Sequence, residues 1–334
     1  MLALVTGATG LLGNNVVRLL LDRGHAVRVT LTDSSPKKPL EGLDVESVDG
    51  DVRDAEAMQR ACQGVDLVVH SAAFVHIGWS AYDRHRAVNI EGTRNVGEAA
   101  LEAGARMVHV SSVDTLGEGT RARPADEDSI PAERQVCHYA ATKRIGENVV
   151  DDLIARGLHA VIVNPTYMLG PWDWKPSSGR MLLTVAEAQP MFAPRGGNDF
   201  CDVRDVAAGV LAANDRGQVG RRYVLGGEAM SYLEAWRMFA DIAGRRGPIC
   251  RAGPMAVIVA GRIGDLIHRV TGREPDINSA ATFMSGMPHH FSYARATAEL
   301  DYRPRPAREA AEAAWQWLLE HGYVVKAAKG RATA

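Results

Sequence analysis

Cysteine is scarce in this 334-residue chain: Cys62, Cys137, Cys201 and Cys250 stand far apart with no C-x-x-C pair. That spacing excludes a zinc knuckle and a redox dithiol, and it points to a reducing, cytoplasmic setting. An excess of one charge is also missing, since 38 basic residues face 40 acidic ones for a formal net charge of −2. The chain as a whole lacks the basic footprint of a nucleic-acid or anionic-membrane protein, which leaves only local patches open. Long apolar runs are absent. Leu2-Ala3-Leu4-Val5 passes straight into a glycine turn, so it reads as a buried strand and not as a signal peptide. The later run from Met255 is interrupted by Gly261 and Arg262 and falls short of the ~20 residues a spanning helix needs. Core packing is the first reading of residues 255–267; a helix facing lipid or a lipophilic substrate is the alternative.

What is there is an alternation of apolar strands and amphipathic helices. Leu2–Thr6, Ala26–Thr32, Val65–His70, Arg106–Ser111 and Leu158–Asn164 are continuous apolar stretches, the pattern of parallel strands covered on both faces. Leu11, Leu12, Val16, Leu19 and Leu20 share a helical face that ends at Gly24. The expected fold is α/β, a doubly wound parallel Rossmann sheet with a smaller, mostly helical C-terminal substrate domain. A length near two average domains fits this. After Pro165 the alternation stops, and the Gly170–Pro176 stretch reads as a loop-rich insertion before a helix over Asp205–Asn214 and a returning strand at Arg222–Leu225. The expected division is 1–165 plus 201–226 for the dinucleotide domain, 166–200 plus 227–325 for the substrate domain, and 326–334 as a flexible tail. In the last helix, Ala311, Trp315, Leu318 and Leu319 are expected to face the core.

Thr6-Gly7-Ala8-Thr9-Gly10-Leu11-Leu12-Gly13 follows the first strand and opens the first helix. Glycines allow the tight turn, and the helix N-terminus offers free N–H groups to a pyrophosphate. The spacing is G-x-x-G-x-x-G, not G-x-G-x-x-G. Farther along, Tyr139 and Lys143 stand four residues apart on one face of an expected helix. A phenol with a pKa near 10 shuttles protons poorly at neutral pH, and a nearby ammonium would pull that pKa down. Ser111 and Ser112 end the fifth strand, at the sheet edge where ligands of such folds bind.

Together these residues resemble the extended short-chain dehydrogenase/reductase family, in the NAD-dependent epimerase/dehydratase superfamily. Its cofactor turn T-G-x-x-G-x-x-G is matched here, as are Asp51-Val52 at the adenine step, His70-Ser71-Ala72-Ala73 after the fourth strand, and Asn89, the structural asparagine. The resemblance implies a cofactor shell of Gly7, Thr9, Gly10, Leu11, Leu12, Gly13, Thr32, Lys37, Asp51, Val52, Ser71, Ala72, Ala73, Asn89, Tyr139, Lys143, Pro165 and Met168. It makes Ser112, Tyr139 and Lys143 catalytic: Tyr139 moves the proton, Lys143 lowers its pKa and holds the nicotinamide ribose, and Ser112 orients the substrate oxygen. No acid stands where sugar epimerases of the family carry one at the end of the second strand, and Lys37 and Lys38 follow, so NADP is preferred over NAD. Asn164-Pro165-Thr166 through Gly170-Pro171 resembles the dihydroflavonol-reductase-like branch, and the Asp173–Arg180 and Asp301–Pro306 stretches resemble the branch of hopanoid-associated sugar epimerases.

The expected substrate wall is apolar and aromatic: Phe74, His76, Trp79, Ser112, Tyr167, Trp172 and Trp174, with Arg180 for an anionic group. His76 is a candidate second acid/base, and Cys137 a pocket wall. The reading is an NAD(P)-dependent oxidoreductase moving hydride to or from a carbonyl or carbinol carbon of a small, partly apolar substrate. The alternatives are a nucleotide-sugar epimerase or dehydratase with tightly held NAD and, less favoured, a non-catalytic dinucleotide sensor. Expected partners are the small molecule and a second copy in a homodimer, with no nucleic acid, no metal and no stable membrane insertion.

Overall fold

Strands that are apolar on both sides need helices on both sides, and the chain supplies them. The computed structural model describes residues 1–131 and 136–324, so the tail expected at 326–334 lies outside the described residues. Strands β1 (Leu2–Thr6), β2 (Ala26–Leu31), β3 (Glu46–Asp49), β4 (Leu67–His70), β5 (Arg106–Val110) and β6 (Ala160–Pro165) lead to β7 (Tyr167–Leu169), β8 (Phe192–Ala193), β9 (Gly197–Asp202), β10 (Arg222–Leu225), β11 (Glu228–Ser231) and β12 (Cys250–Arg251). Seven of them form one sheet in the order β10-β6-β5-β4-β1-β2-β3, every pair parallel. The order reverses between β1 and β4, which makes their carboxyl ends the expected ligand crevice. Strand β3 was not expected from the sequence: as an edge strand reading Glu-Ser-Val-Asp it carries polar groups and lacks the apolar signal.

The helices are α1 (Leu11–Asp22), α2 (Ala55–Cys62), α3 (Tyr82–His85), α4 (Gly92–Ala103), α5 (His138–Ala155), α6 (Gly179–Ala188), α7 (Val203–Arg216), α8 (Tyr232–Ile242), α9 (Pro254–Thr271), α10 (Ser279–Met284), α11 (Ala294–Leu300) and α12 (Ala307–Glu320). Alternation along the strands divides the sheet's packing. Ala3, Val5, Val69 and Val163 pack with α1 and α7, whereas Leu4, Val68, Met107 and Ile162 pack with α2, α4 and α5. Ala296, Leu300 and Tyr302 also enter the first of these cores, so α11 packs on the cofactor side although its sequence position lies beyond residue 227.

A third core unites Leu169, Leu182, Phe200, Phe239, Ala310 and Trp317. The expected loop-rich insertion is more ordered than its Gly, Pro and Trp content implies. Buried Asp173 accepts from the N–H groups of Ser177 (3.1 Å) and Gly179 (3.0 Å), which ties the Trp-rich turn to the start of α6. Leu182, Val185 and Ala186 then face inward. In α12 the buried face runs through Ala310, Ala311, Ala314, Trp317 and Leu318, so Trp315 and Leu319 lie at its margin, not on it as expected.

Helix α9 departs furthest from expectation. Core packing was the first reading of its apolar run, yet its only buried residues are Gly261 and Gly264, and Met255, Ile258, Val259, Ile263, Leu266, Ile267 and Val270 are exposed. Among the described residues no helix is long and apolar enough to cross a membrane.

Candidate active site

The glycine turn is built by close approach. Gly7 has φ +72°, and a Cβ there would stand 2.7 Å from Ala72 N; one on Gly13 would stand 2.2 Å from the Gly7 carbonyl oxygen. Behind the turn, Ser71 Oγ donates to the Thr6 carbonyl at 2.7 Å and Ala72 N–H donates to Thr6 Oγ1 at 3.3 Å, which stitches the ends of β1 and β4 together. Gly10 caps α1 without a side chain, so the first-turn N–H groups of Leu11, Leu12 and Gly13 face outward from the turn. Side chains at Gly7 or Gly13 would collide with the backbone of the turn and of residues 71–72, and the close-packed turn that glycine allows suits a dinucleotide pyrophosphate at the start of α1.

At the end of β2, Thr32 Oγ1 lies 3.1 Å from both Ser34 Oγ and Ser35 Oγ. Lys37 is exposed and makes no ion pair among the described residues, while Lys38 Nζ sits 5.2 Å over the Trp174 ring. The Asp51 carboxylate is gripped by Arg53 Nε and Nη2 at 2.9 and 2.7 Å, which holds its pKa below the usual carboxylate range. Val52 is buried beside it, and its carbonyl accepts from Asn95 Nδ2 at 2.9 Å. Asn89 sits in a π-helical stretch, Arg86–Glu91, and clasps Phe74 through both backbone groups: Oδ1 accepts its N–H at 2.8 Å and Nδ2 donates to its carbonyl at 3.0 Å. The loop carrying Ala72 and Ala73 is thereby fixed against α5, because Asn89 Nδ2 also reaches Thr142 Oγ1 at 3.2 Å. Pro165 ends β6 in register with Leu225, and Met168 packs against the sheet core.

The chemistry converges where β5 ends and α5 begins. Cys137 caps α5 by accepting from Ala140 N–H at 3.5 Å; burial pushes its thiol up to about 11, so it packs and does not react. Tyr139 is a burial-raised phenol: desolvation drives its pKa well above the ordinary value, the Asp114 carboxylate adds to the rise, and a hydrogen bond with Ser112 opposes it. Lys143 was expected to pull this pKa down. Instead its Nζ donates to the Val110 carbonyl at 2.7 Å, and burial lowers its own pKa to about 8 against the opposing charge of Glu147. The four-residue spacing does place both groups on one face; the ammonium is simply directed to the end of β5.

Two groups of residues at this site carried no assigned role in the sequence reading. Asp114 Oδ2 accepts from Ser112 Oγ at 2.9 Å, and Asp114 Oδ1 faces His289 Nε2 at 3.7 Å. Its position two residues past Ser112 was the available signal; its contact with the 289–291 segment was not legible locally. Below, buried Glu147 Oε1 accepts from Asn164 Nδ2 (2.8 Å) and Thr115 Oγ1 (2.8 Å), while Asn164 Nδ2 and Thr115 Oγ1 also hold the Ser112 carbonyl at 3.0 and 2.7 Å. This network fixes Ser112 from behind. Because Asp114 favours the protonated phenol, Asp114→Asn is expected to move the Tyr139-dependent limb of the pH–rate profile to lower pH in both reaction directions. Initial rates measured across pH for both proteins check this.

The expected substrate wall separates into two places. Phe74 packs edge-on to His85 at 4.6 Å, and Trp79 packs edge-on to His138 at 5.4 Å, next to Tyr139. His76 Nε2 lies 2.7 Å from Glu274 Oε2 and 3.2 Å from Ser80 Oγ. Burial works against the Glu274 carboxylate, but Ser80, the Trp79 N–H and His76 outweigh it and hold its pKa at about 2. Glu274 thus straps the 74–80 loop to the segment before α10. Tyr167, Trp172 and Trp174 lie elsewhere, in the small core. Tyr167 Oη donates to the Ser178 carbonyl at 2.9 Å, Trp172 lies under Arg18 at 3.3 Å, and Trp174 packs on Trp317 at 5.0 Å. These three hold the helical unit against α1 and α12, a use that large aromatic faces serve as well as a pocket. Arg180 pairs with Asp276 at 2.7 Å, both well exposed. Among the described residues no His, Cys, Asp and Glu cluster is arranged to hold a metal ion.

Residues 3–226 match the NAD dependent epimerase/dehydratase family. Over 97% of this chain and 100% of its own length, the sterol demethylase protein B of Methylococcus capsulatus is 33% identical. A putative dihydroflavonol 4-reductase of Synechocystis sp. is 32% identical over 96% of this chain and 95% of its own. Among solved structures, that of gox2253 superposes with a TM-score of 0.85 at 35% identity, covering 96% of this chain and 98% of that one. The Bordetella bronchiseptica enzyme WbmH in complex with NAD+ shares the fold, with a TM-score of 0.75 at 19% identity over 96% of this chain and 99% of that one.

Proposed function

The chain belongs to the NAD-dependent epimerase/dehydratase family, and we propose that within it this protein is a net reductase or dehydrogenase of a small, partly apolar carbonyl or carbinol compound. The carrying observation is the cover over Tyr139: Ile77, Cys137, Ala140, Ala280 and Met284 form one apolar cluster with the phenol ring. A nucleotide sugar needs cations for its diphosphate, and of the two candidates, Arg180 and Lys175, Arg180 is paired with Asp276 at the surface. The likeness to relatives named for a sterol and a flavonol supports an apolar substrate.

A bound nicotinamide dinucleotide supplies or accepts the hydride. The glycine turn and α1 hold its pyrophosphate, and Ser71, Ala72 and Ala73 flank it. Tyr139 Oη gives its proton to the carbonyl oxygen in reduction and takes it from the hydroxyl in oxidation. Ser112 Oγ holds that oxygen by turning its single proton to it from Asp114 Oδ2, and the Glu147–Asn164 network fixes the serine backbone. Lys143, cationic below about pH 8, fixes the nicotinamide ribose. Stoichiometric loss of reduced nicotinamide with hydrophobic ketones or aldehydes supports this reading; conversion of a UDP-sugar with no net redox change would replace it with the epimerase.

For the dinucleotide, the hydroxyl cluster of Thr32, Ser34 and Ser35 beside the unpaired Lys37 favours the NADP 2′-phosphate. Replacement of Lys37 by Ala is expected to weaken NADPH about tenfold while leaving NADH nearly unchanged. Titrations of both dinucleotides with both proteins check it.

A further inference from the structure

A surface helix ordinarily turns its apolar stripe inward, and α9 does the reverse. Met255, Ile258, Val259, Ile263, Leu266 and Val270 recur at helical spacing along its outer side, with Leu266 59% and Val270 78% exposed. The inner side is backbone: a Cβ on Gly261 would stand 2.4 Å from Thr282 Oγ1, and one on Gly264 would stand 1.9 Å from the Ile277 carbonyl oxygen. Two glycines thus let α9 lie flush on α10 and the strand of chain before it, and Asp265 fastens the pair by accepting from Ser279 N–H at 3.0 Å. The stripe therefore cannot be turned inward without undoing this contact. Exposed apolar surface of this extent marks a docking face.

Its charges say what docks. Arg262 and Arg269, seven residues apart, run along one edge of the stripe; Arg251 precedes the helix and Arg273 follows it. All four are exposed, and none makes an ion pair among the described residues. Asp265, the single acid of the helix, is turned to Ser279. An apolar stripe edged and bracketed by unpaired arginines is complementary to an anionic bilayer surface, with the side chains reaching headgroup phosphates while the apolar residues enter the acyl boundary. We infer that α9 docks this protein, in the plane of the interface, on membranes containing anionic lipid. The inner partner of α9, α10, carries Ala280 and Met284 in the apolar cluster with Tyr139, so the docked face adjoins the cover of the candidate site. This inference stands on α9 alone and does not depend on the reaction assigned above.

Flotation of the full chain with vesicles of mixed phosphatidylcholine and phosphatidylglycerol, against pure phosphatidylcholine, tests it. The protein is expected to float with the mixed vesicles, less so at high salt. Arg262→Gln with Arg269→Gln should lower partitioning about 25-fold, and Ile263→Asp with Leu266→Asp roughly 100-fold or more. Both pairs lie on the surface, so unchanged unfolding midpoints are required of each. The inference is overturned if the wild-type chain does not float, or if both double variants float as it does. It is equally overturned if light scattering shows a dimer that Ile263→Asp with Leu266→Asp separates while no vesicle binding is found, since a second copy then covers the stripe.

Discussion

Replacement of Tyr139 by Phe is expected to lower turnover about a thousandfold and leave dinucleotide affinity within about twofold of the original. The change removes one oxygen from a ring otherwise held by apolar neighbours, Ile77, Ala280 and Met284, so the fold and the cover above the ring persist. What disappears is the hydroxyl that the proposed mechanism uses to exchange a proton with an oxygen held by Ser112. In the proposed mechanism, binding rests on other elements: the Gly7–Gly13 turn, the stitched ends of β1 and β4, and the Asn89 clasp. Single-turnover rates and dinucleotide titrations separate the two quantities. Turnover at the original rate would show that another group moves the proton, and loss of dinucleotide affinity would show that the phenol serves binding.

Asp114 makes that prediction sharper. A half-buried phenol whose pKa is raised by burial and by a neighbouring carboxylate stays protonated into the alkaline range, the state from which it can donate a proton. A cation brought nearer by ligand binding would shift the balance toward the phenolate. Lys143 is close enough in the chain to do so, but its ammonium is anchored to the Val110 carbonyl. The candidate catalytic residues are therefore held by groups that differ from those their sequence spacing suggests.

The legible and illegible parts of this protein differ in where their information lies. Strands β1, β2, β4, β5 and β6 were readable because burial leaves runs dominated by apolar residues, and the Tyr139–Lys143 pair because helical spacing is local. Glu147 was not readable as a support for Ser112, since its partners Asn164 and Thr115 come from two other segments. Trp172 and Trp174 looked like pocket walls from composition alone; their contacts with Arg18 and Trp317 depend on how α1 and α12 meet. The direction of the α9 stripe was undecidable by periodicity, which gives an apolar face but not which way it looks.

Lowering the pH from 7 to 5 is expected to remove about 4 kcal/mol of stability through two histidines inside the sheet, over and above the contribution of other groups. His70 is buried between Thr6 Oγ1 at 2.8 Å and Thr93 Oγ1 at 3.1 Å, and burial, helped by the Lys143 charge, lowers its pKa to about 3. His109 lies 5.4 Å away ring to ring, has no hydrogen-bond partner for either ring nitrogen among the described residues, and is likewise driven far below its ordinary value by burial and then by Lys143. Both stay neutral in the folded chain at pH 5. In the unfolded chain each takes up a proton below about pH 6.5, which costs folding about 2 kcal/mol per residue at pH 5. The stabilisation is thus present above pH 6.5 and is lost progressively on acidification toward the folded-state pKa. Because His109 satisfies no partner, His109→Leu should halve the loss attributed to the pair, by about 2 kcal/mol, whereas His70→Leu would also strand the Thr6 and Thr93 hydroxyls. Denaturant unfolding at both pH values, for the wild type and His109→Leu, decides the matter: an equal pH dependence in the two proteins would mean that His109 is already protonated in the fold.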